Sequence, residues 1–243
     1  GMPVVQLPTS ILAMNDAAIG GKVAVDLPQG KNLVGAFHQP AAVVSDIDVL
    51  RTLPRRSYIE GFAEVIKHAL ILDPALLKTL EANAANLSSA SPDWDLVAQV
   101  VARSSRLKAL VVSSDPKEQG LRAILNYGHT IGHGIEQATG YRDYMHGEAV
   151  SVGMMGAAKI SQAMGLIDQS LVDRQGDLLR AFGLPLVAPG VNTTVVMDAM
   201  TRDKKVEQGR LRFVLLQGVG QTVVRGDVSG ELVARTLASL VRG

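Results

Sequence analysis

Asn126-Tyr-Gly-His-Thr-Ile-Gly-His133, followed by Met145-His-Gly-Glu148, is the stretch of this chain that says most about its fold. Three of the five histidines of the protein lie in these two segments. His129 and His133 are four residues apart, so on a helix they project from one face, one turn from each other. His146 follows shortly afterwards. Imidazoles gathered in this way on helices are suitable ligands for a divalent metal ion.

Spacing alone leaves a second interpretation open, because histidines four residues apart also occur by chance on many helices. Thr130 follows His129, so the zinc-protease pattern His-Glu-x-x-His is absent, and a complete ligand set needs a residue from elsewhere. Glu64 is the best candidate, since it is an acid in an otherwise apolar helical run. A buried carboxylate needs a cation beside it, and Lys67 lies almost one helical turn away.

Composition excludes several classes of protein. The 243 residues include 24 basic and 23 acidic side chains and only 4% aromatic residues, which argues against a nucleic-acid partner. Cysteine is absent, so disulfides and cysteine-based zinc sites are excluded. We find neither a signal peptide nor an apolar run long enough to span a membrane. We therefore expect a cytoplasmic protein with no membrane partner.

The periodicity of apolar residues predicts a mainly α protein. Residues 1–55 are predicted to form a short N-terminal strand and then an ordered loop region, because Gly and Pro are frequent from Asp16 to Pro40. Residues 56–243 are predicted to form a helical domain that ends in a small β-hairpin, formed by 211–217 and 221–225, and a last helix. The predicted helices cover residues 56–72, 74–87, 94–112, 120–139, 147–164, 170–182 and 230–241.

Two loop segments place a lysine beside glycine, Gly20-Gly-Lys22 and Gln29-Gly-Lys-Asn32. Glycine lets backbone N–H groups approach an anion, and the ammonium group adds charge, although such pairs are also common in solvated turns. The predicted helix 120–139 would carry Arg122 and Asn126 on the same face as the two histidines. That stripe is either an ordinary charged surface or the approach of an anionic, oxygen-rich substrate to a metal.

Several motifs together resemble those of the 3-dehydroquinate synthase family, in order and across almost the whole chain. The chain looks like the C-terminal helical domain of that family with its connecting segment, without the N-terminal NAD-binding domain. The motifs are Leu7-Pro-Thr-Ser10, Asp16-Ala-Ala-Ile-Gly-Gly-Lys22, Asp26-Leu-Pro-Gln-Gly-Lys-Asn32, Thr52-Leu-Pro54, Ala63-Glu-Val-Ile-Lys67, Lys117-Glu-Gln-Gly-Leu-Arg122, Leu125-Asn-Tyr-Gly-His-Thr-Ile-Gly-His133 and His146-Gly-Glu-Ala-Val150.

The resemblance implies a role for each matching residue. The implied metal ligands are Glu64, His129 and His146, which makes His133 a substrate-side residue. The implied catalytic residues are Lys67, Lys108, Arg122, Asn126 and His133. The implied substrate-binding residues are Asp16, Lys22 and Lys205, although Lys204 matches the same position. The implied cofactor contacts are Thr9, Ser10, Lys22, Lys31 and Asn32.

The resemblance also implies a reaction. It is the phosphate-eliminating cyclisation of 3-deoxy-D-arabino-heptulosonate 7-phosphate to 3-dehydroquinate in the shikimate pathway. NAD and Zn2+ or Co2+ would be the cofactors, and a homodimer the assembly. Lys108 and Arg122 would hold the substrate carboxylate, whereas Lys22, Asn126 and His133 would hold the phosphate end.

Two alternatives remain open at this point. One is a related sugar-phosphate cyclase or a metal-dependent polyol dehydrogenase, although a substrate without a carboxylate would not need so many cationic groups. The other is a non-catalytic, stand-alone helical domain that binds a metal or a partner.

Overall fold

The computed structural model describes residues 1–27, 30–202 and 211–241, without the side chains of 26–33 and 202. Eight α-helices make up most of this described part, which confirms the mainly α fold. They are α1 Arg55–Leu72, α2 Pro74–Leu87, α3 Trp94–Ser114, α4 His129–Ala138, α5 His146–Ala163, α6 Gln169–Ala181, α7 Thr193–Arg202 and α8 Gly230–Val241. Among the described residues, no helix has both the length and the apolar character needed to cross a bilayer.

Helix α1 is the centre of the fold. It is buried continuously from Glu60 to Ile71, and α2, α3 and α5 pack around it. Such all-round burial is typical of a helix enclosed by other helices. Glu64 and Lys67 are consequently held in the interior, at a depth that charged side chains reach only when they have partners.

Helices α4 and α5 pack closely because glycines lie between them. A Cβ atom built on Gly153 would overlap the carbonyl oxygen of Gly128 and lie 2.8 Å from the nitrogen of Gly132. The backbones of the two helices therefore touch directly. Because His129 and His146 are the first residues of these helices, the close contact also determines how near the two imidazoles come.

The predicted helix 120–139 was wrong, because the chain breaks in its middle. Residues Leu121–Asn126 form a 3-10 helix, and α4 begins only after Gly128, whose φ of 80° is left-handed. Arg122 and Asn126 therefore do not share a helical face with His129 and His133. Helix α7, between the predicted helices, was not anticipated.

The strands form three two-stranded sheets in the described part. β1 Val5–Gln6 pairs in parallel with β4 Ala42–Val43, β2 Lys22–Leu27 pairs antiparallel with β3 Gly30–Phe37, and β5 Phe213–Gly218 pairs antiparallel with β6 Gln221–Arg225. The predicted N-terminal strand and C-terminal hairpin are confirmed. The loop predicted from Asp16 to Pro40 was wrong, since it contains β2 and β3. The described apolar side chains of that hairpin, such as Val25 and Val34, are mostly exposed. Strands are predicted from the alternation of buried apolar and exposed polar residues, and a hairpin without a buried face lacks that alternation.

The junction between α1 and α2 provides a test of helix capping. Asp73 accepts hydrogen bonds from the backbone nitrogens of Ala75 and Leu76, both at 3.0 Å, and pairs with the guanidinium of Arg103 at 2.6 Å and 2.9 Å. Asp73→Ala should lower the free energy of unfolding by about 1–2 kcal/mol, which chemical denaturation would measure. Asp73→Asn, which keeps a capping oxygen, should lose clearly less. Equal stability of the Ala variant and the parent would contradict this role.

The same carboxylate makes stability depend on pH. Partial burial opposes its ionisation, but hydrogen bonds from Arg103 and from backbone nitrogens hold the pKa of Asp73 below its ordinary value of 3.8. Because the pKa of Asp73 is lower in the native than in the unfolded protein, its contribution to the free energy of unfolding is complete above pH 3.8. That contribution is lost as the pH falls through the native pKa of Asp73.

Candidate metal and substrate site

Three side chains remote in sequence converge where the first residues of α4 and α5 meet the middle of α1. The Oε1 atom of Glu64 lies 3.7 Å from Nε2 of His129 and 3.9 Å from Nε2 of His146. These separations are too long for hydrogen bonds. One oxygen and two ring nitrogens therefore surround a common point, and all three lie within 4.8 Å of one another.

The environment of Glu64 fits a metal ion at that point. Its side chain is fully buried, and Oε2 pairs with the ammonium group of Lys67. Oε1 has no hydrogen-bond partner among the described residues. A buried acceptor without a partner is costly, and a cation would satisfy it. A carboxylate with two imidazoles is also a donor set typical of catalytic zinc.

Both imidazoles are oriented by bonds to their other nitrogen. His129 Nδ1 lies 3.2 Å from the carbonyl oxygen of Tyr127, and His146 Nδ1 lies 3.3 Å from Oε1 of Glu136. These partners only accept, so each Nδ1 carries the hydrogen and each Nε2 faces Glu64. Burial favours the neutral ring of His146, but the hydrogen bond to Glu136 and the charge of Glu64 raise its pKa in the protein without a metal.

Asp16 connects the metal-ligand cluster to a group of cations. Lys108 Nζ lies 2.5 Å from Asp16 Oδ1 and also donates to the carbonyl oxygen of Asp16. Burial opposes ionisation of Asp16, but the charges of Lys108, Lys67 and, to a smaller degree, His146 hold its pKa well below the usual range. Asp16 therefore contacts Lys108 directly, and the charges of Lys67 and His146 act on it, so these predicted site residues lie in one region of the structure.

Arg122 closes the same region from the side of the 3-10 helix. Its side chain is buried, and Nη1 donates to the carbonyl oxygen of Pro116 at 2.9 Å. Burial lowers the pKa of Arg122 and the carboxylates of Asp16 and Asp115 oppose that effect, so the guanidinium stays charged. Gly20, with a φ of 109°, lies directly against this guanidinium, and a Cβ atom there would overlap it.

Glu118 joins two residues that were predicted to contact the phosphate. Its Oε1 accepts a hydrogen bond from Asn126 Nδ2 at 2.7 Å, and its Oε2 pairs with Lys22. Sequence reasoning assigned no role to this acid. Its φ of 57° is unusual for a residue other than glycine, but no sequence pattern reveals such a backbone.

His133 is partly exposed at the rim of the cluster. Its ring centroid lies 5.3 Å from that of His129 and 5.8 Å from that of His146. Nδ1 of His133 lies 2.7 Å from Oε2 of Glu136. Burial opposes ionisation of Glu136, yet hydrogen bonds from His133 and His146 hold its pKa well below the usual range. Sequence reasoning also missed this acid.

The predicted cofactor contacts are less defined. Thr9 is exposed, and Ser10 Oγ accepts a hydrogen bond from the Ala13 nitrogen at 3.2 Å, which starts the following turn. The side chains of Lys31 and Asn32 lie outside the described residues, as does the whole of Lys205.

The sequence matches two family models. Residues 61–206 match the family model described as 3-dehydroquinate synthase C-terminal. The chain belongs to the 3-dehydroquinate synthase family. Residues 1–60, of which 1–55 were interpreted above as a connecting segment, match the model described as 3-dehydroquinate synthase N-terminal.

A relative in this family has high identity over nearly the whole chain. The 3-dehydroquinate synthase of Synechocystis sp. (strain ATCC 27184 / PCC 6803 / Kazusa) is 50% identical over 240 residues, which cover 98% of this chain and 66% of the relative. The chain therefore spans slightly less than two thirds of that protein.

Two solved structures of synthases have the same fold. The first is 2-epi-5-epi-valiolone synthase from Streptomyces hygroscopicus subsp. jinggangensis 5008 with NAD+ and Zn2+ bound, with a TM-score of 0.88 and 28% identity, covering 98% of this chain and 66% of that one. The second is 2-deoxy-scyllo-inosose synthase complexed with carbaglucose-6-phosphate, NAD+ and Co2+, with a TM-score of 0.87 and 29% identity, covering 99% of this chain and 68% of that one.

Proposed function

We propose that this chain forms the metal- and substrate-binding part of a 3-dehydroquinate synthase. This lyase would eliminate phosphate from 3-deoxy-D-arabino-heptulosonate 7-phosphate and close the carbon ring, as a step of the shikimate pathway. The observation that carries the proposal is the convergence of Glu64, His129 and His146 beside the cationic groups of Lys67 and Lys108. The 50% identical relative supports the choice of reaction.

Glu64, His129 and His146 would hold Zn2+ or Co2+, the ions named with the two solved relatives. The bound ion would act as a Lewis acid toward a substrate oxygen. Lys67 has a separate task, because its ammonium group pairs with the second oxygen of the buried Glu64 carboxylate. Its charge also helps to lower the pKa of Asp16.

NAD would be the second cofactor, as in both solved relatives, and would reversibly accept hydride from the substrate. The described residues fit NAD only in part, since the Thr9–Ser10 turn and Lys22 offer only a few polar groups to it. No Gly-x-Gly-x-x-Gly motif between a strand and a helix occurs in the sequence. We propose that Lys31, Asn32 and further residues complete the contacts.

Lys108 and Arg122 would bind the substrate carboxylate. Both are buried, so an anion that reaches them forms strong, oriented, charge-assisted hydrogen bonds. Asp16 holds Lys108 in the protein without substrate. We propose that the substrate carboxylate shares this contact, so that the two cations Lys108 and Arg122 would face two carboxylates in the bound state.

Lys22 and Asn126 would bind the phosphate end, together with His133. Glu118 pairs with both Lys22 and Asn126 in the structure, and thus occupies the donors that the phosphate needs. We propose that the phosphate takes over these donors, and that the departing phosphate itself accepts the proton removed from the substrate carbon. We also propose a cytoplasmic homodimer, with neither a nucleic-acid nor a membrane partner.

Phosphate release distinguishes this function from its alternatives. A full-length form of the enzyme, supplied with Zn2+ and NAD, should release phosphate from 3-deoxy-D-arabino-heptulosonate 7-phosphate but not from glucose 6-phosphate, which has no carboxylate, whereas this chain alone should be poorly active because its NAD contacts are incomplete. Preference for glucose 6-phosphate would favour a related cyclase. Stoichiometric metal binding without turnover of either compound would favour the non-catalytic domain.

Arg122→Lys tests the proposed carboxylate contact. Lysine keeps the charge but loses the planar fork that binds a carboxylate through two hydrogen bonds. In a full-length form of the enzyme, we expect kcat/KM for the heptulosonate phosphate to fall by about 5- to 150-fold, which corresponds to about 1–3 kcal/mol. Zinc content should not change, because Arg122 is not one of the proposed ligands. An efficiency within about twofold of the parent would refute the contact.

A further inference from the structure

Glu136 is a buried acid between two histidines that carry different tasks in the proposed function. It lies on α4, one turn after His133, and is only 6% exposed. Its two oxygens contact two different rings: Oε2 lies 2.7 Å from Nδ1 of His133, and Oε1 lies 3.3 Å from Nδ1 of His146. One carboxylate therefore links a proposed substrate-side histidine to a proposed metal ligand.

We propose that Glu136 is a positioning residue that sets the rotation and tautomer of both imidazoles, and so couples the metal site to the phosphate side. This inference rests on the proposed function. A carboxylate can only accept, so both Nδ1 atoms must carry hydrogen, which leaves Nε2 as the atom through which each ring can bind a further group. Groups of this kind behind a ligating histidine raise metal affinity by orienting the ring.

Other polar groups at the start of α5 hold its backbone. Glu60 accepts the Gly147 backbone N–H at 2.7 Å, and Glu148 accepts the Met145 backbone N–H at 2.9 Å. Neither carboxylate contacts the imidazole among the hydrogen bonds and ion pairs of the described residues. The ring of His146 packs edge-on against that of His129, with 5.3 Å between the centroids, and Glu136 is the group that accepts its Nδ1 hydrogen, so we assign the polar part of its orientation to Glu136.

A different role for Glu136 would be that of a metal ligand, since His133, Glu136 and His146 also lie within reach of one another. The geometry disfavours it. The carboxylate and His133 Nδ1 are already at the distance of a strong hydrogen bond, which leaves no room for an ion between them. Around Glu64 the corresponding distances are longer and one oxygen has no hydrogen-bond partner.

Titration with Co2+, followed by its visible absorption, tests the proposal on the chain as it is. Glu136→Gln preserves size but presents an NH2 group to one of the two histidines. We expect one Co2+ per chain in the parent and in the variant, an affinity lowered about 10- to 100-fold in the variant, and a shifted absorption band. Glu148→Gln is the matched control, because it removes a nearby negative charge without touching a histidine; its affinity should stay within threefold.

The outcomes separate the two proposals. An unchanged affinity and spectrum in Glu136→Gln would overturn the positioning role alone. If the parent instead bound two Co2+ ions per chain and Glu136→Gln bound only one, Glu136 would be a metal ligand. Failure of the parent to bind Co2+ at all would overturn the proposed metal site as well. If the Gln variant does not fold, Glu136→Asp gives the same decision, because a shorter carboxylate reaches only one histidine, and an unchanged affinity and spectrum would again refute the role.

Discussion

Glu64→Ala should reduce zinc in the purified chain from one ion per molecule to a trace. Glu64 supplies the only carboxylate among the three converging ligand atoms, and two neutral imidazoles alone hold a divalent ion poorly. We expect the affinity to fall by more than about a hundredfold, beyond the range for residues that merely orient a ligand. Metal analysis after dialysis measures it, and full zinc occupancy in the variant would exclude Glu64 as a ligand.

The same substitution should also destabilise the protein, for a separable reason. Without Glu64, the buried ammonium group of Lys67 loses its partner, and breaking such a pair costs about 3–5 kcal/mol. The double variant Glu64→Gln with Lys67→Met removes both charges and should recover most of that stability while still binding no zinc. If the double variant unfolded as readily as Glu64→Ala, loss of the ion pair would not explain the instability.

Gly153→Ala should be strongly disruptive, although it adds a single methyl group. The added carbon would overlap the carbonyl oxygen of Gly128 and approach the nitrogen of Gly132 to 2.8 Å, and these backbone atoms cannot move without moving α4. We expect the free energy of unfolding to fall by about 3 kcal/mol, at the upper end for overpacking. Zinc affinity should fall too, since α4 and α5 begin with His129 and His146. Thermal unfolding and metal titration provide the two readouts.

Gly176→Ala is the matched control for this experiment. Gly176 also lies within a buried part of a helix, but a Cβ atom there would be 3.4 Å from Cε of Met155, an ordinary contact with a flexible side chain. Because alanine favours helix more than glycine does, this variant should gain about 0.5–1 kcal/mol. Equal losses in the two variants would mean that the tight packing of α4 against α5 is not the cause.

Most helices could be predicted from the sequence because their apolar residues recur at helical spacing. Helix α2, for example, begins at Pro74 after the capping residue Asp73, as predicted. The prediction failed at residues 120–139, where apolar periodicity continues across Gly128 although the chain turns there into a left-handed conformation. Apolar periodicity indicates which residues are buried. It does not reveal a break between two helices when the residues on both sides of the break remain buried. It also missed the exposed hairpin of β2 and β3, which has no buried stripe to report.

The sequence by itself determined the mainly α character from apolar periodicity, and its ordered motifs carried the resemblance to the family, which in turn implied the candidate ligands. Only the tertiary structure decided which side chains contact one another. It placed Glu64 opposite two helix ends, Glu118 between Lys22 and Asn126, and Glu136 between two imidazoles. Apart from the three-residue step from His133 to Glu136 within α4, these contacts join residues whose separation along the chain carries no periodic signal, so they arise only when the elements that carry them pack together.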